Sequence, residues 1–84
     1  MKIEFKKEIT AKKGKSVIIP VTVTSTEPLI ILKWNSHSLE FTAGVTHDKV
    51  ECPVYCNEDK IVKFSLTDQT GNVEVEYCEI KVIE

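Results

Sequence analysis

The side chains here that could carry chemistry are three cysteines, two histidines and a scatter of turn acids, and their spacing decides how far that chemistry goes. Cys52, Cys56 and Cys78 offer thiolates, and His37 and His47 offer imidazoles, the donor types that zinc takes. Their spacing matches no closed zinc site, and Cys52 and Cys56 would have to converge from one strand. In an extended run those two positions stand about 13 Å apart, beyond the ~7 Å Cα limit for a disulfide. Only a bridge to Cys78 is geometrically open, and only if its strand is a neighbour. Buried free thiols are the expectation, because cysteine packs as a small hydrophobe.

Catalysis would need a nucleophile beside a base, or two carboxylates facing a cleft. Both histidines fall in expected loops, and neither belongs to a Gly-x-Ser-x-Gly or His-Glu-x-x-His pattern. The three glycines, 14, 44 and 71, are isolated turn residues rather than a phosphate-cradling run. Asp48, Glu58, Asp59 and Asp68 sit in turns, where such acids usually bond their own backbone; a weakly held cation is the alternative. The expectation is a non-catalytic chain with no cofactor and no metal. The residues left for ligand contact are His37, His47, Tyr55 and Asn57. Tyr55 is the aromatic expected outside, available to a sugar ring, whereas Trp34 follows four apolar residues and is expected in the core.

Holding these positions requires strands. The last third of the chain, from Lys60, alternates Val62, Phe64 and Leu66 with polar residues, the period of a half-buried strand. Asp68 to Asn72 supplies turn chemistry around Gly71, and a second β-branched run follows from Val73 to Ile83. Such a hairpin is marginal alone, so other strands must cover one face. Upstream, a first strand is expected near residues 2–10 with a break at Lys6-Lys7, then a turn at Gly14. Ser16 to Thr24 is the strongest run, and Pro20 within it must turn its amide position to an open edge or a bulge. Leu29 to Trp34 reads as a strand buried on both faces, followed by short Leu39 to Thr42 and alternating Lys49 to Tyr55. The apolar positions of the last run change phase after Tyr77, which predicts a β-bulge near Tyr77–Cys78. The reading is all-β: a seven-stranded antiparallel sandwich in one domain, residues 1–84.

Charge and length narrow the partners. Residues 1–15 hold six lysines against two glutamates, a net of +4, while the rest of the chain carries −6. No arginine occurs, and arginine makes most bidentate phosphate and base contacts. The lysines therefore read as protection of a sheet edge, not as a nucleic-acid surface. They would also weaken peptide addition at their own edge, although sandwiches accept an extra strand on an open side. No apolar window approaches the ~18 residues of a membrane span, so no membrane insertion is expected. Met1 leads straight into an alternating polar stretch without the apolar core of a signal peptide.

The closing stretch IVKFSLTDQTGNVEVEYCEIKVIE resembles the terminal hairpin of bacterial immunoglobulin-like and cadherin-like modules. KKGKSVIIPVTVTS is similar to their early strands and to the start of cohesin-like domains, and LKWNSHSLEFTAG looks like the middle strand, with Trp34 at the core-tryptophan position. Two departures stand out. No cysteine precedes Trp34, so the Cys–Trp–Cys spacing of antibody-type domains is absent, and the acidic calcium motifs of cadherins are missing. The resemblance implies an immunoglobulin-like module cut from a longer exported protein, placed outside the cell or on its surface, with neighbouring domains of the same chain as partners. Its expected role is that of spacer or adhesion module. The alternative is an accessory module that grips a glycan or a peptide through loops 35–38, 43–48 and 56–59.

Overall fold

A computed structural model describes residues 1–84. Eight strands, not seven, make up the chain: β1 (Lys2–Glu4), β2 (Glu8–Lys12), β3 (Lys15–Thr24), β4 (Leu29–Trp34), β5 (His37–Glu40), β6 (His47–Cys56), β7 (Lys60–Asp68) and β8 (Val73–Ile83). They form two sheets, of order β1-β3-β6 and β2-β8-β7-β4-β5. The extra strand comes from the break anticipated at Lys6-Lys7. It does not merely interrupt one strand; it carries the chain from one sheet to the other. Phe5 turns inward at this crossing, its ring 4.7 Å from that of Phe64. Beyond it β2 lies parallel to β8, Ile9 opposite Ile80, so the sandwich is antiparallel except for this pair.

Alternation builds the core. Ile19, Val21 and Val23 of β3 face Val50, Cys52, Val54 and Cys56 of β6 on one inner surface. Leu32, Trp34, Phe64, Leu66, Cys78 and Ile80 line the other, all buried. Polar partners on the odd steps keep the outer faces wet, as expected for half-buried strands. Buried branched and aromatic side chains supply most of the stability, at about 25 cal/mol per Å² of apolar surface removed from water.

Two expectations about strand phase are corrected. The β7–β8 ladder runs from Lys60↔Ile80 to Thr67↔Val73 without a slip, so there is no bulge at Tyr77–Cys78. β8 instead keeps one phase and exposes Val73 and Tyr77 on the outer face. The inner positions there go to Glu74 and Glu76, where the core thins; Lys7 pairs with Glu76 at 2.7 Å. The irregularity lies in β4, where the register with β7 shifts between Leu29 and Ile31. One extra residue flips the phase. Leu29 points inward before it, Leu32 and Trp34 after it, and Ile30 is pushed outside. The strand is therefore buried on one face, not both.

β3 spans ten residues between the two ends of the sandwich. Lys2 pairs with Thr24 at one end of it. At the other, Lys13 N donates to Ile83 O, two residues before β3 begins. The two termini thus leave from opposite ends of a body 42 Å long and 18 × 17 Å across.

Candidate functional site

The strand pairings separate His47 from the other three residues expected to touch a ligand. His37 and His47 do not sit in loops; they open β5 and β6. His37 stacks on Trp34 with ring centroids 5.6 Å apart, and its partner across the hairpin is Trp34 itself. His47 Nδ1 lies 3.1 Å from Thr24 Oγ1. Tyr55 stands on the outer face near the other end of β6, 54% exposed, and Asn57 follows it in the turn. His47 and Tyr55 are eight steps apart along one strand, about 26 Å. Loops 43–48 and 56–59 therefore cap opposite ends of the sandwich and form no common surface. His37 lies beside Trp34, whose indole bonds Pro53 O, so loop 35–38 sits at the same end as 56–59, and His47 is at the other.

Three of the four turn acids, Asp48, Asp59 and Asp68, accept from backbone amides. Asp68 Oδ1 accepts from Thr70 N at 2.9 Å, Thr70 Oγ1 at 2.7 Å and Asn72 N at 3.0 Å. This closes the β7–β8 turn around Gly71, whose φ of 88° suits glycine. Asp48 Oδ1 accepts from Lys49 N, and Asp59 Oδ1 from Val82 N at 2.7 Å, the latter tying the β6–β7 turn to the last strand. The Thr70 hydroxyl, with the amides of Asn72 and Thr70, holds the Asp68 carboxyl below its ordinary pKa. A carboxyl lowered in the folded state stabilises the fold above its unfolded pKa, near 3.9, and that contribution fades as pH falls through the folded value. Acid titration followed by tryptophan fluorescence should accordingly show Asp68→Asn less stable at neutral pH, with the gap to the parent narrowing below about pH 4.

All three thiols are free and buried. Cys52 and Cys56 both point inward from β6, where Cys52 Sγ and Cys56 Sγ reach the carbonyls of Val50 and Val54. Cys78 Sγ donates to Lys6 O at 3.4 Å. Burial, with Glu51 adding repulsion, pushes the Cys52 thiol up to about 12. Burial raises Cys78 as well, against the pull of Lys7. Such groups are poor nucleophiles.

What the sequence reading missed is the treatment of strand margins. β6 is a ten-residue edge strand, the kind of margin that invites another chain. Its odd residues turn their backbone groups away from β3, and three of these groups are occupied. Trp34 Nε1 donates to Pro53 O at 3.1 Å and Lys60 Nζ to Tyr55 O at 2.8 Å. Lys49 N donates to Asp48 Oδ1 at 2.8 Å, and Pro53 has no N–H to offer. The one signal for this in the sequence was Pro53 in an otherwise alternating run. The opposite margin is different. β1 pairs with β3 only over Thr22–Thr24, and β2 pairs only with β8. Between these two margins a groove of about 610 Å³ is lined by Lys6, Ile9, Thr10, Ile18 and Pro20.

The fold defines a two-sheet, all-β domain of eight strands. No protein-family model matches the chain, and no curated protein matches it in sequence.

Proposed function

We propose that this domain is a non-catalytic, immunoglobulin-like module of an exported or cell-surface protein, acting as a spacer or adhesion element that holds its neighbours apart. The observation that carries this reading is the departure of the two termini from opposite ends of a 42 Å body. Copies or partners joined at those ends would string out in line. The sheet orders support the immunoglobulin-like reading: the first stretch of chain is divided between the sheets, and its second part lies parallel to the last strand.

The same arrangement suits a load-bearing link. Traction on Met1 and Glu84 draws β2 and β8 past one another along their length. The bonds of that ladder, from Glu8↔Glu79 to Lys12↔Ile83, are then loaded together rather than one after another. Glu79 N bonds Lys7 O and Lys13 N bonds Ile83 O, so Lys7, Ile9, Ala11 and Lys13 face β8, while Glu8, Thr10 and Lys12 face away. Proline deletes an amide donor. In single-molecule stretching of a tandem polyprotein, Ala11→Pro should lower the unfolding force markedly, whereas Thr10→Pro should leave it close to the parent. Equal forces for both variants would remove the load-bearing role. Loop 43–48 lies at the opposite end of the sandwich from loops 35–38 and 56–59, so the three do not favour a single glycan site.

A further inference from the structure

We infer that the groove between β2 and β3 is a docking site for an extended acidic peptide, which would add to the free margin of β3 as a continuation of β1. β1 leaves β3 after the Glu4↔Thr22 pair, when Phe5 dives between the sheets. The first half of β3 is thereby left without a strand on that side. The alternation set by β6 decides which groups face the gap. Pro53 O and Tyr55 O look outward to Trp34 and Lys60, so the even residues of β6 bond the odd residues of β3, Val17 to Val23. Ser16, Ile18 and Pro20 therefore turn their backbone groups to the groove. Pro20 supplies only a carbonyl there, which is why proline is tolerated in a strand that is otherwise central. On the facing wall, Glu8, Thr10 and Lys12 of β2 also turn away from their only partner, β8.

A row of free amides and carbonyls on each wall is matched by an extended main chain and by few other ligands. The side chains set its composition. Ile9, Ile18 and Pro20 line the groove, and Ile18 is 55% exposed, so alternate positions of the occupant should be apolar. Charge sets the rest. Of the lysines around the groove, Lys7 is paired with Glu76 and Lys13 with Glu84. Lys6 on the groove wall, and Lys12 and Lys15 at its closed end beside Gly14, have no carboxylate partner. The lysine excess that repels a basic strand attracts an acidic one. This site lies apart from the loops considered above and does not depend on the spacer role.

The test is a titration of the isotope-labelled 84-residue protein with an acetylated alternating Val/Glu peptide, followed by amide NMR. Shifts should centre on Thr10, Ser16 and Ile18, and affinity should fall as salt is raised. Reversing the wall charge with Lys6→Glu should weaken binding by roughly tenfold. Ile18→Pro, which deletes a donor facing the groove and no internal bond, should weaken it further. A Val/Lys peptide, or a Val/Glu peptide N-methylated on alternate residues, should not bind. Equal binding by the Val/Lys peptide would overturn the proposal. So would shifts centred on the β6 margin or around Tyr77, unchanged affinity in the Lys6→Glu protein, or no shifts at millimolar peptide. Sedimentation equilibrium of the free protein should give a monomer. A dimer dissociated by Ile18→Pro would mean that a second copy fills the groove, and would also overturn it.

Discussion

Replacing Phe64 with alanine is expected to cost about 3–5 kcal/mol, the range for emptying a fully packed aromatic site. Phe64 has no exposed surface, and its ring touches both the crossing segment and the core tryptophan, 4.7 Å from Phe5 and 6.4 Å from Trp34. Neither neighbour can move in to fill the space. Phe5 is held by the passage between sheets, and the indole is held by its bond to Pro53 O. Domains of this size hold roughly 0.05–0.15 kcal/mol per residue, so the loss would consume a large share of the total. Urea denaturation read through Trp34 fluorescence should lower the variant's midpoint by roughly 2–4 M. A midpoint within about 1 M of the parent, which at ordinary slopes is only ~1–3 kcal/mol, would mean that the two sheets do not share one core.

The second large effect is chemical. At pH 8 an ordinary thiol near pKa 8.5 is about one-quarter ionised, whereas Cys52, pushed up to about 12, is ionised to roughly one part in 10⁴. With the sulfur also sealed behind two sheets, labelling of folded protein by a small alkylating reagent should be slower than that of unfolded protein by at least about a thousandfold at this site. Mass spectrometry after brief exposure, with and without urea, reads this directly. The linkage has a definite sign. A thiol that holds its proton more tightly when folded costs nothing below about pH 8.5, and it erodes stability as pH rises from there toward 12, where the folded form also ionises. Alkaline denaturation should therefore begin early and be delayed by Cys52→Ala. Rapid labelling of native protein would show that β6 opens readily.

The parts of the fold that could be read from the sequence were those in which alternation and turn chemistry agree. The β7–β8 hairpin is of this kind: Phe64 and Leu66 alternate cleanly with polar residues, Asp68 and Asn72 have side chains that suit a turn, and Gly71 takes the positive φ that the turn needs. Pro20 announced its open margin for a similar reason, since a missing donor has few places to go. The bulge escaped because Leu29, Ile30 and Ile31 are all apolar, and a change of phase leaves no trace in a run without polar markers. Conversely, Val73, Val75 and Tyr77 suggested a phase change in β8, although the strand simply exposes them. The division of the first strand was visible as a break, but its destination was not. Pairing β2 with β8 rests on Phe5 finding Phe64, a contact between residues far apart in sequence. The separation of His47 from His37, Tyr55 and Asn57 was hidden for the same reason. Loop positions look adjacent in a list until strand lengths separate them.

The parallel strand has a consequence for how the molecule is made. Lys7 meets Glu76 across 69 positions, and the ladder just beyond joins the beginning of the chain to its final residues. β8 is made after every other strand of this fold, so Ile9 and Ala11 of the early segment stay uncovered until it arrives. Pairings between such distant stretches form slowly. For as long as that wait lasts, the uncovered apolar residues leave the folding chain vulnerable to sticky encounters.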